Sequence, residues 1–273
     1  SLEGRPLAHV AAFLPPATIG RLPALCRLLR AEVRLLRPDL RLALASELGL
    51  ALVAAIEAAG YLRVREVQLR VARSAGLQTA GAFALCSSLQ VLHLDGCRHL
   101  CDLTALESCP ELQTVRLFGC ERLGDLAPLA RCSRVECLTL SELDLVGALA
   151  GLEGCPAKTV ELLDCGNLVD VSALERLPCL RRLVLSNCSA LTDLSPLPRC
   201  PLLEELDASY NSLLADIAPL GRCHRLRELD LSGSRKLINL GPLASCKSLQ
   251  KLHLTRCARL TDVSPLALCA GLE

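Results

Sequence analysis

Two cysteines, Cys188 and Cys200, bracket Thr192, Asp193, Ser195 and Pro196 in the stretch CSALTDLSPLPRC. A soft metal clasp, a disulfide loop or a thiol nucleophile beside a carboxylate could each be built from such a pair. The segment CRHLC, with Cys97, His99 and Cys101, is the one dense cysteine and histidine cluster, but it lacks the C-x-x-C spacing of a structural zinc site. Six aspartates, Asp102, Asp125, Asp170, Asp193, Asp216 and Asp262, recur like a carboxylate array. No glycine loop for nucleotides and no nucleophile motif is present, so we expect no catalytic residue, no metal and no cofactor.

These chemical residues return at fixed intervals, which changes their meaning. CARLTDVSPLALC (257–269) repeats the first stretch, and CRHLCDLTALESC (97–109) and CERLGDLAPLARC (120–132) are looser copies. Units begin near Glu66, Leu89, Leu112, Val135, Ala157, Leu180, Leu203, Leu226 and Leu249, 23 residues apart except for one step of 22. Each reads L-x-x-L-x-L-x-x-C-x-x-L-x-D-L-x-P-L-x-x-C-x-x. The L-x-L half, as in Leu183 and Leu185 or Leu229 and Leu231, alternates as a short strand with one buried face. The D-L-S-P-L half places Ser195 or Ser264 to cap a helical turn and Pro196 or Pro265 at its start, where a missing N–H is no loss. The aspartates just before that turn are expected to cap backbone locally.

Nine units in one register resemble the leucine-rich repeat over residues 66–273. The L-x-D-[LVI]-[SA]-P-L segment is similar to the short repeats of internalins, cysteine after the strand resembles cysteine-type repeats, and the combination looks most like leucine-rich-repeat proteins of kinetoplastid protists. The resemblance implies an α/β fold: a curved solenoid with short parallel strands on its concave face and 3₁₀ or helical turns on its convex side. Cys97, Cys120, Cys165, Cys188 and Cys257 then help turn the chain after the strand, a position filled elsewhere by Leu143, Asn211 and Ser234. Cys86, Cys109, Cys132, Cys155, Cys200, Cys223, Cys246 and Cys269 close the helical half, where a small, weakly polar core residue fits. Coils about 4.8 Å apart would bring neighbouring cysteines within disulfide reach, yet we expect reduced thiols. A tenth unit has only begun at Leu272, so either the natural chain is longer or a partner covers its last coil.

Composition agrees with a thin, repetitive core. Half of the 273 residues are apolar, but with two Tyr, three Phe and no Trp or Met the core must be built from Leu, Val, Ala and Cys. A net charge of +1 gives no electrostatic case for nucleic acid, and no stretch approaches a membrane span. Odd cysteine count and length argue against a secreted disulfide scaffold, and the expected setting is intracellular and cytoplasmic.

Residues 1–65 read as an N-terminal helical region, with Leu40 to Gly60 apolar on a broad helical face. Such helices can simply cap the open end of a solenoid. The segment also resembles an F-box through Leu2, Leu7, Val10, Phe13, Leu14, Pro15, Ile19, Leu22, Cys26, Arg27 and Arg30, although Glu3, Arg5 and Leu29 depart from that pattern. This resemblance implies binding of a Skp-type adaptor through Leu7, Val10, Phe13, Leu14, Pro15, Ile19 and Leu22. Outward strand positions list the expected partner surface by register. Arg70, Arg73, His93, Arg116 and Phe118 lie at one end, then Glu161, Asp164, Glu205, Asp207, Tyr210, Glu228 and Asp230, and finally Lys251, His253 and Arg256. Adjacent acids repel one another, so Glu205, Asp207, Glu228 and Asp230 are expected to take a basic segment of a protein partner. Tyr210 and Phe118 are candidate aromatic anchors. The expected function is protein binding by this face, as a ubiquitin-ligase substrate receptor or as a scaffold subunit.

Overall fold

The structure, a computed structural model, describes residues 40–44, 64–70, 80–143 and 147–272. Within them ten strands form one parallel sheet in chain order, β1-β2-β3-β4-β5-β6-β7-β8-β9-β10. The strands are β1 Leu40–Leu44, β2 Val64–Arg70, β3 Val91–Asp95, β4 Thr114–Phe118, β5 Cys137–Ser141, β6 Thr159–Leu163, β7 Arg182–Ser186, β8 Glu205–Asp207, β9 Glu228–Asp230 and β10 Lys251–His253. Pairing is unshifted from β2 to β10: Leu94 faces Leu117, which faces Leu140, then Leu162 and Leu185. Strict alternation makes that register unavoidable, because a slip of one residue would turn every leucine to solvent. Leu94, Leu117, Leu140, Leu162, Leu183 and Leu185 have no exposed surface.

Chain reversal on the other side uses a single short turn per coil. Most are 3₁₀, as in Thr104–Ser108, Ser172–Arg176 and Ser264–Leu268, and one, Ala127–Arg131, is α-helical. Proline opens several of them, with Pro219, Pro242 and Pro265 in the first turn and Pro196 immediately before the turn Leu197–Arg199. The cap is made by the aspartates as expected. Asp102, Asp125, Asp170, Asp193, Asp216 and Asp262 each accept the N–H two residues on at 2.7–2.9 Å, and Asn239 does the same for Gly241. The serine caps expected at Ser195 and Ser264 are not formed. Instead Asp193 accepts both the N–H and the hydroxyl of Ser195, because the carboxylate precedes the turn and reaches its free donors first.

The 22-residue unit departs from this plan. Its return path over 147–154 has no helical turn, and Gly151 adopts φ +94° with its missing Cβ aimed 2.7 Å from the Ala127 nitrogen. Only glycine fits both the conformation and the approach.

Leu40–Leu44 corrects one expectation. Read as the start of a helix, it is a strand whose Leu42 and Leu44 pair with Val67 and Leu69 of β2. Five residues of alternating Leu satisfy a strand as well as a helix face, and the edge of β2 decides between them. Residues 1–39 and 45–63, where the remaining helices and the adaptor-binding positions were expected, lie outside the described residues.

Two columns of thiols tie coil to coil. In the convex column Cys109, Cys132, Cys200, Cys246 and Cys269 each donate to a carbonyl twenty-six residues back, at 3.2–3.5 Å. In the column after the strands Cys188 reaches Leu162 O at 3.6 Å and Cys257 reaches Leu231 O at 3.2 Å. The convex carbonyls already accept the N–H three residues on, so each thiol adds a weak second donor to a carbonyl of the preceding coil in a space that fits it. Cys188 and Cys200 are therefore two rungs of separate columns, without a shared site.

Candidate protein-binding face

The outward face of the sheet carries three columns of side chains set by the strand register. The first runs Thr114, Cys137, Thr159, Arg182, Glu205, Glu228 and Lys251. The second runs His93, Arg116, Thr139, Glu161, Val184, Asp207, Asp230 and His253. The third runs Asp95, Phe118, Ser141, Leu163 and Ser186, and the backbone of Arg70 is in register with Asp95. Glu205 is thus beside Glu228 and Asp207 beside Asp230, as expected, while His93 and His253 stand seven strands apart. Arg73 lies outside the described residues.

The acids do not stand alone. Arg182, which sequence reasoning passed over, sits between Glu161 and Glu205 and pairs with both, at 3.8 Å to Glu161 and closer to Glu205. Its register with Glu205 and Lys251 was the signal that could have found it. Lys251 pairs with Glu228, and that contact holds the Glu228 carboxyl below the usual glutamate range. Glu161 also accepts the Thr139 hydroxyl at 3.0 Å, and Asp164 accepts the Asn187 amide at 2.6 Å. Asp207 and Asp230 each turn one oxygen to the backbone, accepting the N–H of Ser209 and Ser232 at 2.9 and 2.7 Å. Among the described residues no cation forms an ion pair with either of them.

Just past the strands a further column follows its own rule. Glu142, Asp164, Asn187, Tyr210, Gly233 and Arg256 occupy one register position, and all have φ between +52° and +77°. The left-handed turn aims each N–H along the sheet: Asp164, Asn187, Tyr210 and Gly233 donate to Ser186 O, Ser209 O, Ser232 O and Thr255 O. Three of these, Glu142, Tyr210 and Arg256, are residues that rarely adopt the conformation, so the sequence signal was confined to glycine, Asn187 and Asp164. Tyr210 is half exposed at the mouth of this column. Phe118 is half-buried four strands away, about 19 Å at the strand spacing, so the two aromatics are separate anchors.

Chemistry of metal or thiol kind has no convergence here. Cys97 is buried while His99 and Cys101 face solvent, and among the described residues no three ligand-type side chains could hold a metal ion. Burial raises the thiols of Cys132, Cys200 and Cys246 to about 11 and that of Cys223 to about 12. Cys188 is raised by its hydrogen bond with Cys165 and then by burial, while Cys165, at the other end of that bond, is pulled down. Among the described residues no helix is long and apolar enough to cross a membrane.

The chain has a leucine-rich-repeat fold. Two solved structures carry the comparison. An internalin (inlF) of Listeria monocytogenes aligns over 97% of this chain and 96% of its own at 16% identity, with a TM-score of 0.54. Internalin C2 (inlC2) of the same organism aligns over 70% of this chain and 80% of its own at 26% identity, also with a TM-score of 0.54. No protein-family model and no curated protein matches the sequence. A leucine-rich-repeat fold of this kind is consistent with a protein-interaction module.

Proposed function

We propose that the leucine-rich repeats bind a protein partner through the concave sheet, with Asp207 and Asp230 meeting basic side chains of that partner. The observation that carries the reading is the pair of neighbouring aspartates. Their strands lie in direct register, their charges repel, and unlike Glu205 and Glu228 they have no arginine or lysine pairing with them among the described residues. Phe118, Tyr210, His93, Arg116 and His253 lie on or beside the same surface and widen it. Replacing both aspartates by asparagine keeps an oxygen for the backbone and removes the charge, as Asn239 does in its own turn. Each lost exposed ion pair is worth up to about 1 kcal/mol, so a partner recovered by affinity capture should bind the double variant about tenfold more weakly. Unchanged affinity and unchanged salt dependence would remove this face from consideration.

The segments AFLPP and LCRLLR support a more specific role, a substrate receptor whose N-terminal region holds a Skp-type adaptor. Pull-down with such an adaptor, comparing the full chain with Phe13→Ala and Leu14→Ala, tests that role. Loss of binding in the variants supports it. Absence of binding by the folded chain leaves a non-enzymatic scaffold subunit, and co-purification in one particle of fixed stoichiometry supports that alternative. Cysteine usage supports an intracellular, cytoplasmic setting, and near-neutral charge supports a partner other than nucleic acid or membrane.

A further inference from the structure

At the rim where the strands turn outward, from the coil after β7 to the coil after β10, lies an open cleft of about 270 Å³. It is lined by Tyr210, Ser212, Gly233, Arg235 and Arg256, with Asn187 on its far wall. Four successive coils line it, from the one after β7 to the one after β10. Tyr210, Gly233 and Arg256 hold the same left-handed position, so a side chain, a gap and a side chain follow each other, roughly 10 Å from first to last at the strand spacing. The gap is obligatory, because a Cβ on Gly233 would lie 3.0 Å from the Tyr210 ring. Tyr210 and Arg256 hold a backbone conformation that costs large side chains of order 1 kcal/mol, a cost that concentrates where a side chain must be aimed.

Electrostatics distinguishes this stretch of rim. Among the described residues Arg235 and Arg256 make no ion pair, as is also true of Arg116 and Arg227, but Arg235 and Arg256 line one cleft that has no carboxylate among its lining residues, whereas Arg225 and Arg227 line theirs with Glu204. Lys236 is exposed beside Arg235. In this coil alone of those with a capped turn the capping aspartate is replaced, by Asn239, which still accepts the Gly241 N–H at 2.7 Å. The substitution keeps the turn and deletes a negative charge from the coil that carries Arg235 and Lys236. Asp164, one coil beyond the cleft, is engaged by Asn187.

We propose that this cleft binds a phosphate monoester carried on the protein partner of the concave face. Two guanidinium forks can each take two oxygens of a tetrahedral dianion, and the Tyr210 and Ser212 hydroxyls can donate to the remainder. A long polyanion such as a nucleic acid is disfavoured, because Asp207 and Asp230 lie on the adjoining sheet and repel continuous negative charge. A segment with one phosphorylated residue flanked by basic residues matches both signs. The proposal rests on the reading of the sheet as a protein-binding face.

The test is calorimetric titration of the full chain with a synthetic peptide, Ac-Gly-Lys-Ala-phosphoserine-Ala-Lys-Gly-amide, and with its unphosphorylated twin. The phosphorylated form is expected to bind at least tenfold more tightly, and Arg235→Ala with Arg256→Ala is expected to abolish the difference. Asn239→Asp restores the capping carboxylate without disturbing the turn and is expected to weaken the phosphopeptide several-fold while leaving the twin unchanged. Equal binding of the two peptides, or a phosphate preference that survives the double arginine variant, overturns the site. A short oligonucleotide binding as tightly as the phosphopeptide overturns the choice of a protein-borne phosphate. A captured partner that ignores phosphatase treatment but needs Asp207 and Asp230 sinks the rim site and leaves the sheet face standing. Phosphopeptide binding with partners indifferent to those aspartates does the reverse.

Discussion

Ser234 occupies the register position that Cys188 and Cys257 fill in other coils, and it is the point where the thiol column fails. Asn211, one coil earlier, already reaches Leu185 O and Ala208 O at 2.7 and 2.9 Å, and the Ser234 hydroxyl is buried with no partner. A buried, unpaired hydroxyl costs roughly 1–3 kcal/mol. Ser234→Cys should therefore stabilise the protein by about 1 kcal/mol, read as a higher denaturation midpoint at unchanged slope. The same columns make a pH prediction. Cys132, Cys200, Cys223 and Cys246 have folded pKa values raised to about 11 or 12, above that of a free thiol, so the folded state holds their protons longer than the unfolded chain does. Their contribution is complete below pH 9 and is lost as pH rises through 11 to 12. Melting temperature should fall across that alkaline window, and iodoacetamide at pH 8 should label exposed Cys101 well before any of these four.

At the scale of the element, what could be read in the sequence was what each coil decides for itself. The strand leucines follow period two, and the aspartate caps act over two residues, so both were legible in CSALTDLSPL and its copies. Features that depend on the next coil were not. The left-handed Glu142 and Tyr210 are held by hydrogen bonds across coils, the thiols find carbonyls twenty-six residues back, and Arg182 bridges Glu161 and Glu205 from three different strands. Ser195 was misassigned as a cap because its neighbour Asp193 competes for the same donors, and Leu40–Leu44 because five residues cannot separate two periods. The unit over 135–156 shows how an element absorbs a deletion. With one residue fewer it drops the helical turn and closes through Gly151 against Ala127. Gly151→Ala would add a methyl 2.7 Å from the Ala127 nitrogen at φ +94°, with a cost of about 1–3 kcal/mol. Hydrogen exchange should show the loss of protection concentrated in the two coils around Ala127 and Gly151.

For the whole molecule, stability is a sum over coils and the contacts between successive coils, because each strand and turn touches only its immediate neighbours. Cooperativity then depends on every interface remaining strong enough to make neighbouring coils unfold together. Leu206 is at the centre of one such interface, 2% exposed and in register with Leu183 on one side and Leu229 on the other. Leu206→Asp removes roughly 1.5–3 kcal/mol of apolar burial and places a carboxylate where no cation or water can reach it. Local opening of the coil around β8 relieves that penalty, whereas opening of a distant coil does not. Urea unfolding of the variant should therefore split into two transitions, one for the coils on each side of β8, where the parent chain unfolds over a single steeper range. A single transition with the parent slope, merely shifted to lower urea, would mean that coupling reaches across more than one coil, and the nearest-neighbour account of this solenoid would be wrong.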